Sequence, residues 1–557
     1  MKSIYLSLLL FCIFPLGSQE YQHLIIYGQS LSTGHQSWPP LSTVNVEGNF
    51  MIGSQIWINF GNTGNDKLNP LISNVLALNV NLPKSRASMT CAENALVSAT
   101  NYIQLKTEAK FKFIASSCGA GGKTIEELSK EHYITSTYGN FIKALDCAKA
   151  ITSSLECPSI FWMQGEYNYT KPVGSTGLTQ GSAPTSDKAT YKSLLLQLKN
   201  NMQNDILSKY KQISKPLFIT YQTGAQYSRG KELTIGMAQL EASNEFDDIV
   251  CAGPIYPVTD RGGHLEPNGY RWYGEMLGKA YYRTKISGQR FQPLQPVEFS
   301  KTANPKILRI RFYVPKLPLV LDEMTVKKVK DYGFEVYDNN VKKTIQSIVI
   351  DGNSLFITFT SNIEGTLEVV YAGTNVSGHG NLRDSDDETA CFKYVDLDRK
   401  NVDGTYLFER DTAETTLRPS FEPRDENGQI IYDKPYPLYN FSLAFYYKID
   451  KDSSSYRVPN VKDIYTSKIE FQDNSGIIMF HSGTKIVVDN LSSEIIKVDI
   501  FSISGQLITS FYDQNNNNRR EFDVGLLSKG IYLITLTSES GNKLHKESTL
   551  SKIITIS

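Results

Sequence analysis

HLIIYGQSLSTG, residues 23–34, is an apolar run that breaks into a polar, glycine-containing turn. The residues from Leu24 to Tyr27 are all apolar, which is typical of a strand that a parallel sheet buries on both faces. Gly28 lets the backbone turn at once, so Ser30 is expected just beyond the carboxyl end of this strand. Because open α/β sheets bind their ligands at that edge, Ser30 is a candidate functional residue. A hydrogen-bonded turn serine is the alternative interpretation.

Four further apolar runs alternate with helical patterns through the first half of the chain. The runs are FKFIASS, SIFWM, PLFITYQTG and DDIVCAGPI, and helices are predicted over residues 91–107, 140–153, 188–210 and 268–282. This alternation predicts an α/β domain of the three-layer, flavodoxin-like type over residues 20–288. The loop from Ser32 to about Thr90 is longer than ordinary connections, and we expect it to form a wall beside the site.

A nucleophilic serine needs a base, and the chain contains seven histidines. His264 follows the last predicted strand and precedes the last predicted helix of this domain. Loops after the first and last strands open on the same edge of such a sheet, so His264 is predicted to reach Ser30. Asp260, four residues earlier, is predicted to orient the imidazole ring. A loop histidine with a local Asp contact is the alternative interpretation.

Two of the predicted strands lead into residues suited to stabilising an oxyanion. FKFIASS runs into Gly119, Gly121 and Gly122, where backbone N–H groups can point into a site. SIFWM runs into Gln164, whose side-chain amide is a neutral donor, and then into Glu166, which is expected to tie down its loop. The alternatives are that the glycines only permit close helix packing and that Gln164 only caps a loop.

Together these motifs resemble a known family. GQS after the first strand, the GGKTI turn after the second, WMQGE after the third and the late Asp/His pair resemble the SGNH hydrolases, in particular the sialic-acid O-acetylesterases and acetyl-xylan esterases. The resemblance covers about residues 20–285. It implies a secreted serine esterase that removes acetyl groups from oligo- or polysaccharides through an acyl-serine, with no cofactor and no metal.

The resemblance also implies a role for each candidate residue. The nucleophile, the base and the orienting acid are implied to be Ser30, His264 and Asp260. The oxyanion hole is implied to consist of the Ser30 amide, Gly121 and Gln164. Substrate-binding candidates lie in the same loops and in the long insertion: Gln29, Glu166 and Trp38, with Trp57 and Tyr27 as further aromatic candidates and Glu93 matching a carboxylate position of the family.

The sequence departs from the family pattern at three places. Position 31 is Leu where the family usually has Asn, and Gly165-Glu166 is followed by Tyr167-Asn168 rather than Ser-Asp. Three residues, not two, separate Asp260 from His264. A Ser-His dyad assisted by a backbone carbonyl is therefore the alternative to a triad.

Composition and the amino terminus limit the possible partners. The 57 basic and 57 acidic residues balance, so no global field favours nucleic acid or an anionic membrane surface. Residues 1–19 combine a basic residue, an apolar stretch and small residues, which predicts a cleaved signal peptide. No other apolar run is long enough to span a membrane, and no Cys/His cluster has zinc spacing. Cys147 and Cys157 bracket a short loop and are the first candidates for a disulfide.

After about Phe291 the pattern changes to short alternating strands, which predict a β-sandwich domain over residues 289–450 with extended polar segments. One polar segment, residues 378–390, contains His379 and three aspartates, Asp384, Asp386 and Asp387. Solvated surface is the favoured interpretation of this run, and a cation site is the alternative. These segments are also candidates to fold back on the α/β domain.

A polar stretch over residues 451–476 is a predicted linker to a last module, residues 477–557. The runs SEIIKVDIFSISGQLITSF and LSKGIYLITLTSESGNKL predict β-hairpins with turns at Ser504-Gly505 and Ser540-Gly541. The succession of SISGQLI and LSKGIYLI resembles the C-terminal sorting domain of Bacteroidetes type IX secretion. This resemblance implies contact with secretion machinery and a bacterial protein that is secreted, on the cell surface or periplasmic.

Two rival functions fit parts of the sequence. A non-catalytic surface protein that holds glycans in a hydrolase-type pocket would account for the unusual Asp260–His264 spacing. A serine peptidase or thioesterase is less favoured, because a Gly-x-Ser-x-Gly elbow is missing: position 32 is Ser.

Overall fold

The computed structural model describes residues 20–58, 65–76, 90–131, 135–170, 184–228, 230–260, 263–408, 421–462, 478–482, 485–489, 495–502, 506–513, 519–524, 530–539 and 548–556. The predicted signal peptide lies outside these residues.

A seven-stranded sheet forms the centre of the first unit. Its strands are β1 (Tyr21–Gly28), β2 (Asn49–Ile52), β3 (Leu68–Pro70), β4 (Phe113–Ser117), β5 (Leu155–Met163), β6 (Leu217–Gln222) and β7 (Ile249–Pro254). The order is β3-β2-β4-β1-β5-β6-β7, and all neighbours are parallel except β2 and β3. After β1 the chain continues to β2 on one side of the sheet, and after β5 it continues to β6 on the other side. The loops that follow β1 and β5 therefore diverge, and a crevice opens between them.

Helices pack on both faces of this sheet. They are α1 (Ser30–Thr33), α2 (Ala95–Lys106), α3 (Ile125–Leu128), α4 (Thr135–Ile151), α5 (Glu166–Thr170), α6 (Lys188–Tyr210), α7 (Thr234–Glu245) and α8 (Pro267–Tyr281). Leu24 and Ile26 of β1 share a core with α2 and α8, whereas Ile25 and Tyr27 share a core with α4, α6 and α7. Because successive side chains of β1 point to opposite faces and both faces are buried, the residues from Leu24 to Tyr27 are all apolar. The predicted mixed α/β class is confirmed.

The second unit consists of antiparallel strands. They are β8 (Gln295–Lys301), β9 (Ile307–Tyr313), β10 (Val320–Leu321), β11 (Phe334–Asp338), β12 (Val341–Lys342), β13 (Ile345–Asp351), β14 (Ser354–Phe359), β15 (Leu367–Tyr371), β16 (Leu382–Arg383), β17 (Thr389–Lys393), β18 (Pro435–Pro437), β19 (Phe445–Ile449) and β20 (Ser455–Arg457). A four-stranded sheet, β12-β11-β15-β19, and a five-stranded sheet, β13-β14-β9-β8-β20, share one apolar core. Strand β20 lies within the predicted linker, so the sheet continues past residue 450.

The third unit contains seven antiparallel strands in two sheets. They are β21 (Ile478–Ser482), β22 (Lys485–Asp489), β23 (Ile495–Ser502), β24 (Leu507–Asp513), β25 (Arg519–Asp523), β26 (Gly530–Glu539) and β27 (Ser548–Ile556). The sheet orders are β21-β22-β25 and β24-β23-β26-β27. The predicted Ser504-Gly505 and Ser540-Gly541 turns lie outside the described residues.

The polar segments of the second unit run along helix α8. The Trp272 indole N–H donates to the Pro437 carbonyl at 2.9 Å, and the Glu275 carboxylate accepts the Cys391 N–H at 2.5 Å. Lys279 and Asp386 form an ion pair of 3.0 Å, and both are buried. The expectation of a solvated acidic run is therefore wrong for Asp384 and Asp386, because both are buried: Asp386 pairs with Lys279 of α8, and Asp384 accepts the Asn440 side-chain amide at 2.7 Å.

Candidate active site

Ser30 and His264 lie within hydrogen-bond distance of each other. Ser30 is the first residue of α1, directly after the β1 turn, and His264 lies in the loop between β7 and α8. The Ser30 hydroxyl oxygen is 2.7 Å from His264 Nε2. Gly28 makes this turn possible: its φ is +150°, and a Cβ there would lie 2.0 Å from the Met163 carbonyl oxygen. The tight turn brings the serine to the crevice beside β5.

The other ring nitrogen of His264 has a partner that differs from the prediction. Nδ1 is 2.8 Å from Gln36 Oε1, where the sequence led us to expect the Asp260 carboxylate. Asp260 is instead paired through its backbone with Leu265 in an isolated β-bridge. This bridge holds the Asp260 backbone opposite Leu265, the residue after His264, while Gln36 lies against Nδ1 of the ring.

A second histidine stands beside the first. The rings of His35 and His264 are stacked, with centroids 5.8 Å apart and planes inclined by 26°. His35 Nδ1 is 2.7 Å from the Thr33 hydroxyl and 3.2 Å from Cys91 Sγ. Burial lowers the pKa of His35 to about 4, and burial together with the nearby His35 lowers the pKa of His264 to about 4. Both rings are therefore neutral at pH 7.

A cavity of about 500 Å³ opens over this pair. Its lining includes aromatic, hydroxyl and amide side chains and four small residues: Gln29, Ser30, Thr33, His35, Trp57, Leu76, Cys91, Ala120, Gly121, Gly122, Glu166, Tyr167, Thr170, Tyr227, Gly263 and His264. The volume is large enough for a small organic ligand.

Gln164 lies outside this cavity, contrary to the prediction that it would help to form an oxyanion hole. Its side chain is fully buried, and its amide nitrogen donates to Asn168 Oδ1 at 2.6 Å and to the Lys123 carbonyl at 3.3 Å. Its oxygen accepts the Tyr191 hydroxyl at 2.8 Å. Both hydrogens of the amide are thus used within the fold, and Gln164 fixes the loop after β5.

The backbone at Ser30 and Gly121 is better suited to an oxyanion. Among the residues that the structure describes, no hydrogen bond occupies the N–H of either residue. Gly121 lines the cavity, and a Cβ at this position would lie 2.8 Å from His35 Nε2. Two N–H groups of residues that line the cavity therefore remain available for a ligand.

Gln29 and Glu166 line the cavity but are also anchored. The Gln29 oxygen accepts the N–H groups of Gly165 at 3.3 Å and Tyr167 at 3.2 Å, which joins the loops after β1 and β5. The Glu166 carboxylate accepts the Tyr221 hydroxyl and the Gly224 N–H, and burial raises its pKa. Glu166 therefore holds its loop in place, as expected from the sequence.

The aromatic candidates divide into two groups. Trp57 lines the cavity and donates its indole N–H to the Gly119 carbonyl at 2.9 Å. Trp38 is buried and is not among the residues that line the cavity, so the structure does not support it as a substrate contact. Tyr27 is fully buried under helix α3, where its hydroxyl donates to the Leu128 carbonyl at 2.8 Å.

Glu93 holds the long insertion next to the site. Its buried carboxylate accepts the N–H groups of Leu41 at 2.6 Å and Ser42 at 2.8 Å, and the Ser73 hydroxyl at 3.1 Å. Glu93 is therefore a buried residue and not a solvated one. One buried carboxylate connects two parts of the insertion, at residues 41–42 and at Ser73, to the start of α2.

Two other expectations concern metals and disulfides. Within the described ranges, no group of three or more His, Cys, Asp or Glu side chains is arranged to hold a metal ion. Cys147 and Cys157 are free thiols, so the expected disulfide between them is not formed. Cys157 is buried, with Sγ 3.5 Å from the Ser159 carbonyl oxygen.

Comparison with known proteins identifies one part of the chain. Residues 481–548 match the family described as the secretion system C-terminal sorting domain. The C-terminal unit is a secretion sorting domain. The protein is accordingly secreted or located at the cell surface, and the resemblance noted for this module is confirmed. In the part of the chain that the structure covers, helices long and apolar enough to cross a bilayer are lacking.

Solved structures offer more distant similarities to the rest of the chain. They include a carbohydrate acetylesterase from Xanthomonas citri (14% identity, TM-score 0.43, covering 65% of this chain and 77% of that one). Others are a protein from Arabidopsis thaliana (14%, 0.34, 47% and 97%) and NanS (11%, 0.34, 48% and 98%). No curated protein matches the chain in sequence. Likeness at these scores does not assign an activity.

Two residues of the site were missed from the sequence. His35 and Gln36 follow the GQS turn directly, in the segment Ser30–Gln36, yet neither has a spacing that marks it. The available clue was Gly34, whose φ of +77° ends α1 and turns the chain back toward the serine. His35 and Gln36 come directly after the turn at Gly34, so their side chains can lie close to Ser30 and His264.

Proposed function

We propose that this protein is a secreted carbohydrate O-acetylesterase with Ser30 as nucleophile and His264 as base. The observation that carries the proposal is the 2.7 Å contact between the Ser30 hydroxyl and His264 Nε2, inside a cavity of about 500 Å³. A neutral imidazole with a hydrogen on Nδ1 has a free lone pair on Nε2, which can accept the serine proton. The second contact of the ring, to Gln36 Oε1, favours this tautomer.

The reaction takes two steps. The Ser30 oxygen attacks the acetyl carbonyl carbon while its proton moves to His264 Nε2, and the oxyanion that forms accepts the N–H groups of Ser30 and Gly121. The bond to the sugar oxygen then breaks, and His264 returns the proton to that oxygen. Water next attacks the acetyl-serine, with His264 taking one proton and returning it to the serine oxygen, and acetate leaves.

The walls of the cavity support a sugar ester as substrate. Trp57, Tyr167 and Tyr227 offer aromatic faces on which sugar rings can stack, and hydroxyl and amide groups lie among them. Export of the protein to the outside of the cell agrees with a glycan substrate. The motifs around Ser30, Gly121 and Gly165 further support an SGNH-hydrolase type of α/β domain, flavodoxin-like and in three layers, followed by a β-sandwich domain.

The test measures acetate release by purified protein from p-nitrophenyl acetate and from acetylated xylan, sialosides and pectin. S30A should lower kcat by at least ~10³-fold. S243A is the matched control, since Ser243 is also buried but donates to the Leu240 carbonyl in α7. Turnover by S30A at the wild-type rate would remove Ser30 as nucleophile. Glycan binding without acetate release would favour the non-catalytic binding protein.

A further inference from the structure

We propose that Gln36 is the positioning residue for His264, and thus that a neutral amide stands where a carboxylate was expected. The inference rests on the proposed function, since it concerns how the base of that reaction is held. Its first support is geometric: Gln36 Oε1 lies 2.8 Å from His264 Nδ1, and Nε2 of the same ring lies 2.7 Å from the Ser30 oxygen.

The direction of these hydrogen bonds follows from the chemistry of the groups. For the serine to give its proton to Nε2, the neutral ring must carry its hydrogen on Nδ1. The partner of Nδ1 must then be an acceptor, and the amide oxygen of Gln36 is one. The bond selects one tautomer and fixes the plane of the ring, two of the tasks that an orienting carboxylate performs in serine hydrolases.

The backbone of Gln36 supports a dedicated position. Its φ is +61°, in the left-handed region that residues with a Cβ seldom adopt. The neighbours on both sides are held: the His35 carbonyl accepts the Tyr270 hydroxyl at 2.8 Å, and the Ser37 N–H donates to the Thr90 carbonyl at 3.2 Å. Strained residues held by their surroundings concentrate at functional sites, and this one carries the side chain that reaches the histidine.

A neutral acceptor has a different consequence from a carboxylate. A carboxylate would stabilise the imidazolium and raise the pKa of the base, whereas the amide oxygen fixes the ring with little effect on its charge. The low pKa of His264, about 4, is consistent with this arrangement. The base is then neutral over most of the acidic range, so kcat/KM should keep its value down to about pH 5.

Other titratable groups near His264 come from five parts of the fold. They are His35 stacked on the ring, Cys91 in contact with His35, Tyr227 and Glu166 on the cavity wall, and Asp260 in the same loop as His264. Burial lowers the pKa of His35 to about 4 and raises the pKa values of Cys91 and Tyr227 to about 12, so these three are neutral at pH 7. Any effect of Asp260 has to be separated by a variant of its own.

The experiment combines two readouts on the full-length protein. Nitrogen-15 NMR of histidine-labelled protein, with the His264 signals assigned by comparison with H264N, reports tautomer and pKa without requiring turnover. The pH profiles of kcat and KM for p-nitrophenyl acetate report catalysis. Both are recorded for wild type, Q36E, Q36M, D260N and Q203L. Gln203 is the matched control, a buried glutamine that donates to the Pro216 carbonyl at 2.8 Å away from the cavity.

The expected results are specific to positioning. Q36E should raise the pKa of His264 by one unit or more and move the acid limb of kcat/KM upward by the same amount. Q36M should lower kcat by ~10²-fold with KM nearly unchanged, and should reduce the share of the tautomer protonated at Nδ1. Q203L and D260N should leave both the tautomer and the acid limb as in wild type.

Two results would overturn the inference. One is a His264 pKa and tautomer that stay as in wild type in Q36E and Q36M. The other is a shift of the acid limb in D260N alone, which would return the positioning role to Asp260. If the NMR results agree with the inference but no acetate is released by wild type, the proposed function fails and the role of Gln36 as partner of His264 stands.

Discussion

Two buried polar clusters of this protein differ in charge and in access. At the cavity, Ser30, His264 and Gln36 form a chain of hydrogen bonds with no net charge at pH 7. Along α8, Lys279 pairs with Asp386 at 3.0 Å and Arg283 with Glu388 at 2.9 Å. The first cluster has a cavity in front of it. The second is enclosed between the first and second units.

The two clusters show that access to a cavity, and not a shifted pKa, distinguishes a candidate reactive site from a structural one. Burial opposes the ionisation of Asp386, but the charges of Lys279 and Arg283 outweigh it and hold its pKa at about 2. Burial also lowers the pKa of His23, near the start of β1, to about 3. The hydroxyl groups of Tyr210 and Ser116 form hydrogen bonds with its ring. A shifted pKa is thus shared by structural and candidate catalytic groups, and the access of a nucleophile to a cavity separates them.

The largest expected effect contrasts the two kinds of buried histidine. H264N should lower kcat by ~10⁴-fold, since it removes the base of both steps. H23N, a change of the same size far from the cavity, should leave kcat nearly unchanged and lower the melting temperature. Acetate release and thermal unfolding are measured for both. Equal losses of kcat would mean that the activity only reports the integrity of the fold.

The next effect concerns the charged cluster. K279M removes one of the two cationic partners of the buried Asp386 carboxylate. We expect the free energy of unfolding to fall by about 3–5 kcal/mol. K316M removes the exposed pair with Asp387 and should change stability little. Urea unfolding gives both values. A K279M protein as stable as wild type would contradict a fastening role for this cluster, whatever its activity.

A smaller effect follows from the pKa of His23. Its value is about 3 in the folded protein and about 6.5 in the unfolded chain, so the unfolded chain binds more protons between these pH values. Stability from this group is therefore present above pH 6.5 and is lost as the pH falls. The loss from pH 7 to pH 5 should be about 2 kcal/mol smaller in H23Q than in wild type. Identical pH dependence in urea unfolding would contradict this assignment.

The smallest effect is expected at Gln164. If its amide only fixes the loop after β5, Q164M should lower the melting temperature and change kcat by about tenfold or less. An oxyanion-hole donor would instead cost ~10²–10³-fold in kcat. Kinetics with p-nitrophenyl acetate decide between the two. A loss in the higher range without a loss of stability would restore Gln164 to the reaction.

Local patterns in the sequence predicted much of the fold. The apolar runs at β1, β4, β5, β6 and β7 are strong patterns because both faces of the sheet are buried, so most residues of each run are apolar. The short strands β2 and β3, at one side of the sheet, were missed within the long insertion, since they pair with neighbours that local sequence does not reveal. Burial of Asp384 and Asp386 was missed for the same reason: Asp386 pairs with Lys279 of α8, about one hundred residues earlier, and Asp384 pairs with Asn440, 56 residues later.

The candidate site was predicted in part. Ser30 and His264 could be paired because each follows a strand whose end lies at the same edge. The partner of Nδ1 could not be found in this way, because the choice between Asp260 and Gln36 depends on loop conformations and not on spacing. Gln164 was misjudged because an amide after a strand can turn toward the cavity or toward Asn168, and only packing selects between them.

The sequence by itself determined the α/β pattern, the sorting domain and the pairing of Ser30 with His264, which follow strands that end at the same edge of the sheet. Each of these depends on local periodicity or on a short motif. Tertiary structure alone decided which side chain holds His264, which carboxylates are buried and which aromatic residues line the cavity. These depend on contacts between residues far apart in the chain, where side-chain direction and loop closure, rather than residue type, select the partner.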